Sequence, residues 1–244
     1  MITVFGYLGR PSTELRDAAA RADLVVGGRR HLAALGIPTN QDRKHDVQHD
    51  APGQHGGDPV GGRPRGIVLG PLDPAIKALA ALPDGASAVV VASGDPLFYG
   101  VVRRIRQAGL RVTVVPAVTS LQAAFAAVAL PWDDALAVSV HGNDPAPAFA
   151  ACRTHPKVGV LTDPRHGLPE LVRATAGLGR TYVLAERLGE DDERVRVLTE
   201  TEALELTDIA QPHVVLVLAH HPDEPEALGN QYALAGGPHP QENP

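Results

Sequence analysis

Short apolar runs recur along the chain, each closed by glycine, proline or a small polar residue, with amphipathic stretches between them. In the first half, residues 2–7, 23–28, 67–70, 87–92 and 111–116 read as strands. Runs this short, apolar throughout and bounded by turn residues suit strands buried on both faces of a parallel sheet. Between them, residues 14–21, 29–35, 73–82 and 101–108 carry helical spacing, and Ser12 and Thr13 are N-cap candidates for the first. In the second half, residues 135–140, 158–162, 181–185, 194–198 and 213–219 read as strands. An Ala-rich helix ending at Ala129 and helices over 146–153, 168–176 and 200–206 alternate with them.

This alternation predicts an α/β protein of two α/β domains, residues 1–116 and 117–222. The first sheet should be parallel. In the second, Glu186-Arg187-Leu188-Gly189 followed by Asp191-Asp192-Glu193-Arg194 looks like a hairpin connection, so a mixed sheet is expected. Residues 40–65 are rich in glycine and hold His45, His49 and His55 with almost no apolar residues, which predicts a mobile insertion. Residues 223–244, rich in Pro, Gly, Asn and His, predict a disordered tail.

The chain has 244 residues, enough for one large domain or two of ordinary size. Its hydrophobic content of 44% supports a real core, built from Ala, Leu and Val because aromatics are only 4%. A net charge of −6 argues against a general nucleic-acid binder but leaves room for local arginines facing an acidic small molecule. The one cysteine, Cys152, excludes an internal disulfide and a Cys-rich metal site; it reads as a small helical core residue. Residues 2–5 are apolar without a preceding charged region or a cleavage site. No apolar run reaches the roughly 18 residues of a membrane span, so a cytoplasmic protein with no membrane partner is expected. His45 and His49 stand at i, i+4, but the glycines and aspartates around them disfavour a helix, and no metal site is expected.

Candidate chemistry gathers at the strand ends. Val89-Val90-Val91-Ala92 runs directly into Ser93-Gly94-Asp95-Pro96-Leu97-Phe98-Tyr99-Gly100. In open α/β sheets ligands bind in the crevice outside the carboxyl ends of the strands. Gly94 lets backbone approach a ligand and Asp95 offers an acceptor. An ordinary strand-to-helix turn has the same composition. Thr119 and Ser120 open a helix whose N-terminus presents free N–H groups, or they are simply good caps. The turn Gly6-Tyr7-Leu8-Gly9-Arg10-Pro11 lacks the dinucleotide fingerprint, and neither a Walker motif nor a nucleophile–base pair is present. Loops of Gly, Pro, Ser and Thr spread over two α/β halves favour a small organic cofactor held by backbone groups in an interdomain cleft.

Six stretches add a resemblance. They are Ala22-Asp23-Leu24-Val25-Val26-Gly27-Gly28-Arg29, the loop from Ala92 to Gly100, Pro116-Ala117-Val118-Thr119-Ser120-Leu121-Gln122, Leu130-Pro131-Trp132-Asp133-Asp134-Ala135, Ser139-Val140-His141-Gly142, and Glu186-Arg187-Leu188-Gly189 with Asp192-Glu193-Arg194. Together they resemble the tetrapyrrole methylase family. The Gly-Asp-Pro loop matches the family broadly. The Leu-Pro-Trp-Asp, Ser-x-His-Gly and Glu-Arg-Leu-Gly stretches are similar to the branch that methylates carbon 5 of a corrin precursor in cobalamin biosynthesis.

The resemblance implies a fold of two α/β domains with S-adenosylmethionine in the cleft between them. Carried over by position, Ser93, Gly94, Asp95, Phe98, Thr119 and Ser120 would line the cofactor, with Gly9, Pro11 and the backbone at Leu161 and Thr162 as further candidates. The implied reaction is in-line attack of an electron-rich ring carbon on a sulfonium methyl. Alignment of reacting groups is then the main contribution, capable of lowering a barrier by roughly 7–11 kcal/mol. His141 is the candidate to take a proton from the macrocycle, although a structural histidine at a strand end would look the same. The substrate carries many carboxylates, which makes Arg10, Arg29 and Arg187 candidates for bidentate contacts, or ordinary surface arginines. The resemblance further implies a homodimer and association with the carbon-15 decarboxylating methylase. Same-fold alternatives are methylation at another tetrapyrrole position and a non-catalytic tetrapyrrole carrier. The chain departs from the family in its first loop, at Asn143 where relatives often place arginine, and in the insertion at 40–65.

Overall fold

The computed structural model of the protein describes residues 1–39, 64–70, 72–142 and 144–229. Nearly all of the expected insertion, Asn143 and the tail from residue 230 lie outside the described residues. The chain divides into two compact units, Met1–Thr119 and one that begins at Ser120.

The first unit runs β1 (Ile2–Tyr7), α1 (Thr13–Arg21), β2 (Leu24–Gly27), α2 (Arg29–Ala34), β3 (Arg65–Val68), α3 (Leu72–Ala80), β4 (Ala88–Ser93), α4 (Val102–Gln107) and β5 (Thr113–Val115). Its sheet has the order β3-β2-β4-β1-β5, and every pairing is parallel. Side chains alternate across a strand, so one apolar run feeds two layers. Ile2, Val4, Leu24, Val26, Val90 and Ala92 pack with Ala75 and Leu79 of α3 and Val102 and Ile105 of α4. Their neighbours Phe5, Val25, Val89 and Val91 pack with Leu15 and Ala19 of α1 and Leu32 of α2. Burial on both faces is why the inner strands β2 and β4 read as unbroken apolar runs, while the edge strands β3 and β5 are only partly covered. Helix α1 starts where Ser12 Oγ accepts from Leu15 N at 3.1 Å, as its N-cap spacing predicts.

The second unit runs α5 (Ser120–Ala127), β6 (Leu136–Ser139), α6 (Ala146–Thr154), β7 (Lys157–Leu161), α7 (Leu168–Ala174), β8 (Thr181–Glu186), β9 (Arg194–Leu198), α8 (Glu200–Glu205) and β10 (His213–Leu218). Its sheet, ordered β6-β7-β10-β8-β9, is mixed: only β6 and β7 run parallel. Strands β8 and β9 form the expected antiparallel connection. Val158, Val160, Tyr182, Leu184, Val215 and Val217 make one core layer with Leu168, Leu171 and Val172 of α7. On the opposite face, α5 sits on Gly159, where an added Cβ would lie 3.0 Å from Leu121 and 3.4 Å from Phe125. The helix expected to reach Ala129 stops at Ala127, and Ala129 takes a φ of +49°. Cys152 is fully buried, and that burial pushes its thiol up to about 12, so it is inert packing. Among the described residues no helix is long and apolar enough to cross a membrane.

Candidate functional site

The carboxyl edge of the first sheet is shaped by a close approach of β1 to the loop after β4. Tyr7 and Gly94 exchange backbone hydrogen bonds, Tyr7 N to Gly94 O at 3.2 Å and Gly94 N to Tyr7 O at 2.7 Å. Gly94 needs its positive φ of 65° to fold back this way. A Cβ on Gly6 would fall 2.5 Å from Ala117 N and 2.7 Å from Gly94 O, so the ends of β1, β4 and β5 meet only over a glycine. Asp95 then closes its own turn: its Oδ1 accepts from Leu97 N at 2.8 Å and its backbone oxygen from Phe98 N at 3.1 Å. The turn is tight, for a Cβ on Gly100 would lie 2.2 Å from Pro96 O.

Ser93, the last residue of β4, is held from β2's side of the sheet. Its Oγ accepts from Arg30 Nη2 at 3.2 Å and lies 3.3 Å from His31 Nε2. His31 is buried on α2 and packs against the Tyr7 ring, with centroids 4.6 Å apart. Beyond Tyr7, toward β5, a recess of about 430 Å³ is lined by Phe5, Tyr7, Leu8, Arg10, Val115 and Val118, among others. A volume in the range of roughly 300–1,000 Å³ is ordinary for small-ligand pockets.

Of the residues picked from the sequence, the structure brings Ser93, Gly94, Asp95 and Phe98 into one loop and puts Arg10 on the recess. Gly9, at φ +73°, and Pro11 flank Arg10 in the same turn. Arg29 is exposed on α2, one residue from the arginine that reaches Ser93. Thr119 is buried at the end of this unit.

In the second unit Ser120 is the first residue of α5. His141 is exposed just past β6, and the backbone there is pinned at two points. Its own N–H donates to Ser139 Oγ at 3.2 Å, and Gly142 N to Asp163 Oδ2 at 3.5 Å. Burial alone would push the Asp163 carboxyl up, but N–H donors from Arg165, His166 and Gly142 outweigh it and hold it below the usual range. Thr162 is bonded through Oγ1 to the carbonyl of His213, and Leu161 ends β7 beside it. Arg187 is already engaged: Glu190 Oε2 accepts from its Nε at 3.1 Å and its Nη2 at 2.8 Å, and Asp192 Oδ2 lies 2.8 Å from Nη1. A substrate carboxylate there would compete with two carboxylates of the chain itself.

Two of the quoted stretches contain a carboxylate with structural partners. Glu186, 0% exposed, accepts from Arg194, Arg196 and the amide of Ala210. Lys157, 4% exposed, donates to Asp134 Oδ1 at 2.5 Å and Pro131 O at 2.9 Å, clamping the Leu-Pro-Trp-Asp stretch to β7. Arg30, His31 and Tyr7 were not singled out by the sequence. The available signal was the Gly27-Gly28 turn opening α2 at a strand end, a position that aims its first residues at the ligand edge of a parallel sheet.

Comparison with known proteins extends this picture. Residues 12–204 match the family model described as Tetrapyrrole (Corrin/Porphyrin) Methylases. A cobalt-precorrin-7 C(5)-methyltransferase of Salmonella typhimurium is 29% identical over 208 residues, 81% of this chain and 90% of that one. A precorrin-6Y C(5,15)-methyltransferase (decarboxylating) of Sinorhizobium sp is 35% identical over 237 residues, 91% of this chain but 50% of that one. Among solved structures, a precorrin-6Y methylase of Archaeoglobus fulgidus covers 89% of this chain and 97% of its own, with a TM-score of 0.57 at 20% identity. A uroporphyrin-III C-methyl transferase of Thermus thermophilus, complexed with S-adenyl homocysteine, has the same score and identity and covers 89% and 91%. At that identity the structures speak for the fold.

Proposed function

The chain belongs to the tetrapyrrole (corrin/porphyrin) methylase family, and from that premise we propose that it transfers a methyl group from S-adenosylmethionine to carbon 5 of precorrin-7 or cobalt-precorrin-7 in cobalamin biosynthesis. The observation that carries this reading is the near full-length similarity to a cobalt-precorrin-7 C(5)-methyltransferase.

The residues present fit such a cofactor. The edge of the first sheet offers apolar walls at Phe5, Val115 and Val118, next to a loop that the paired backbone of Tyr7 and Gly94 holds in place. When bound, the cofactor supplies an electrophilic sulfonium methyl. Ser93, Gly94, Asp95, Phe98 and Thr119 of the first unit, with Ser120, Leu161 and Thr162 of the second, are the residues we assign to it. Gly9 and Pro11 hold the turn that presents Arg10. The chain's task is orientation and exclusion of water, and the Asx turn at Asp95 keeps the loop rigid for it. His141 is the group we assign to accept the proton released as the ring carbon is alkylated, and the two backbone bonds around it fix its loop. Arg10 and Arg29 are assigned to substrate carboxylates. Arg187 is the weakest of that set because Glu190 and Asp192 already hold it.

The Sinorhizobium relative joins a C(5) and a C(15) activity in its name, and this chain spans half its length. That supports association with a separate carbon-15 methylase; a cytoplasmic homodimer completes the reading. The test is methyl transfer from labelled S-adenosylmethionine to a panel of corrin precursors, with the labelled carbon located by NMR. Label at carbon 5 of precorrin-7 or its cobalt form is expected. Label only on an earlier intermediate refutes the assignment.

A further inference from the structure

We propose that Asp163 is a positioning residue for methyl transfer, tying the loop that carries His141 to the end of β7 beside Leu161 and Thr162. The inference rests on the methylase reading and on His141 as its proton acceptor. Strands β6 and β7 pair in register as far as Ser139 and Leu161, and Val140 N then donates to Leu161 O at 3.0 Å. Past that point the two chains run into separate loops. Asp163, two residues beyond β7, spans them: its Oδ2 accepts from Gly142 N at 3.5 Å, across 21 residues of sequence.

That bond acts on His141 through the backbone. Gly142 N belongs to the planar peptide unit that follows His141, and Gly142 turns immediately afterwards at φ +68°. The peptide unit before His141 is held by its own N–H, which donates to Ser139 Oγ at 3.2 Å. With both units held, the φ and ψ of His141 are fixed, and so is the direction in which its side chain leaves the loop.

The two carboxylate oxygens divide the work. Oδ1 accepts from Arg165 N and His166 N, both at 2.8 Å, and closes the turn that leads into α7. His166 Nδ1 lies 3.3 Å from the same oxygen, and Arg165 Nη2 lies 3.9 Å from Oδ2 on a side chain that is 76% exposed. Closing the turn needs one oxygen, which an asparagine also has. The second oxygen is what a carboxylate adds, and here it reaches the His141 loop. The Asp163 side chain is only 6% exposed, so water is a poor substitute for that partner. On the other side Thr162 Oγ1 donates to the carbonyl of His213, which anchors the segment to β10.

Asp163→Asn separates the two jobs. The amide oxygen keeps Arg165 N and His166 N, and the NH2 then meets the Gly142 N–H, donor against donor. Methyl transfer from labelled S-adenosylmethionine to precorrin-7 or its cobalt form is followed in the parent, Asp163→Asn, His141→Ala and the double variant, with S-adenosylhomocysteine binding measured by calorimetry. Asp163→Asn should lower kcat by about 10- to 100-fold, the scale of a reacting group misplaced by roughly 1 Å, with KM and S-adenosylhomocysteine affinity unchanged. His141→Ala should lower kcat by about 100-fold or more. Adding Asp163→Asn to it should cost nothing further, because a tether has no effect once the side chain it positions is gone. Ser139→Ala, which removes the other bond, should give a smaller fall in kcat with the same non-additivity. An undiminished kcat in Asp163→Asn overturns the inference, as does an equal fall on the His141→Ala background. So does a loss carried by KM or S-adenosylhomocysteine affinity, or a variant that no longer folds. If His141→Ala is as active as the parent, the proton-acceptor assignment and this inference fall while the methylase reading stands. A parent that methylates no corrin precursor refutes that reading and the inference together.

Discussion

Replacing Glu186 with glutamine tests whether a buried carboxylate holds the far edge of the second sheet. Glu186 ends β8 at 0% exposure, and each oxygen has two donors. Oε2 accepts from Arg194 Nε at 2.9 Å and Arg196 Nη2 at 2.9 Å; Oε1 accepts from Arg194 Nη2 at 3.0 Å and Ala210 N at 2.6 Å. Asp208 closes the network from outside, 2.7 Å from Arg194 and 3.0 Å from Arg196. Glutamine keeps one acceptor and turns an NH2 toward donors, so two or more hydrogen bonds are lost beside uncompensated cations. Breaking a buried ion pair from one side costs about 3–5 kcal/mol. Arg194 and Arg196 keep 41% and 19% side-chain exposure and regain some water, which puts the expected loss near the lower end. For a chain of this size that is roughly 2–4 °C per kcal/mol, a drop of about 6–12 °C in melting temperature.

Acid titration gives a second readout of the same group. Burial alone would raise the Glu186 carboxyl, but bonds from Arg194 and Ala210 and the charges of Arg196 and Arg194 outweigh it and hold it low. Asp208 is held down to about 2 by hydrogen bonds from Arg196 and Arg194. Carboxyls depressed in the fold stabilise it fully above their unfolded values, about 4, and that stability is lost as pH falls through the folded values. The parent should therefore lose stability between roughly pH 4 and 2, and Glu186→Gln should show a shallower loss there. A double cycle with Arg194→Met should return a coupling of about 1–3 kcal/mol. A melting temperature within about 2 °C of the parent, with no coupling, refutes the reasoning.

Three further outcomes are expected. Gly6→Ala should destabilise the first unit by about 1–3 kcal/mol, because its Cβ would press on Ala117 N and Gly94 O, backbone atoms that cannot swing away; an unchanged denaturation midpoint counts against the close approach. Lys157→Met strands Asp134 without its partner and should cost about 3 kcal/mol by chemical denaturation; Asp134→Asn added on top should then cost little more. Burial holds the His213 imidazole below its usual pKa, so the fold favours the neutral ring and parent stability should decline as pH falls below about 6.5. His213→Gln should flatten that part of the profile, and a stability curve unaltered by the substitution would count against the assignment.

How far the sequence could be read differs between backbone and side chains. The inner strands β1, β2 and β4 of the first sheet were visible because both faces are buried, so Val89, Val90 and Val91 are all apolar although they feed opposite layers, whereas the edge strand expected over residues 67–70 runs Arg65–Val68 and is only partly covered. The loop after β4 was visible because Gly94, Asp95 and Gly100 meet local demands of the turn. The arginines were not legible in this way. Arg29 and Arg30 are equivalent as text; about 100° of helical rotation per residue decides which one faces Ser93. Arg187 reads in sequence as a candidate substrate contact or an ordinary surface arginine, and only the structure shows that it pairs with Glu190 and Asp192.

By itself, then, the amino-acid sequence determined the alternation of strands and helices, the parallel character of the first sheet and the turns at its carboxyl edge. Each of these follows from residues within a few positions of one another, where periodicity and turn chemistry act. Only the tertiary structure decided the partners of Ser93, Lys157 and Glu186. Those partners stand 63, 23 and 8 to 24 residues away and are brought near by strand order and register. A charge acts on whatever lies within a few ångströms, and that neighbourhood is not encoded by distance along the chain.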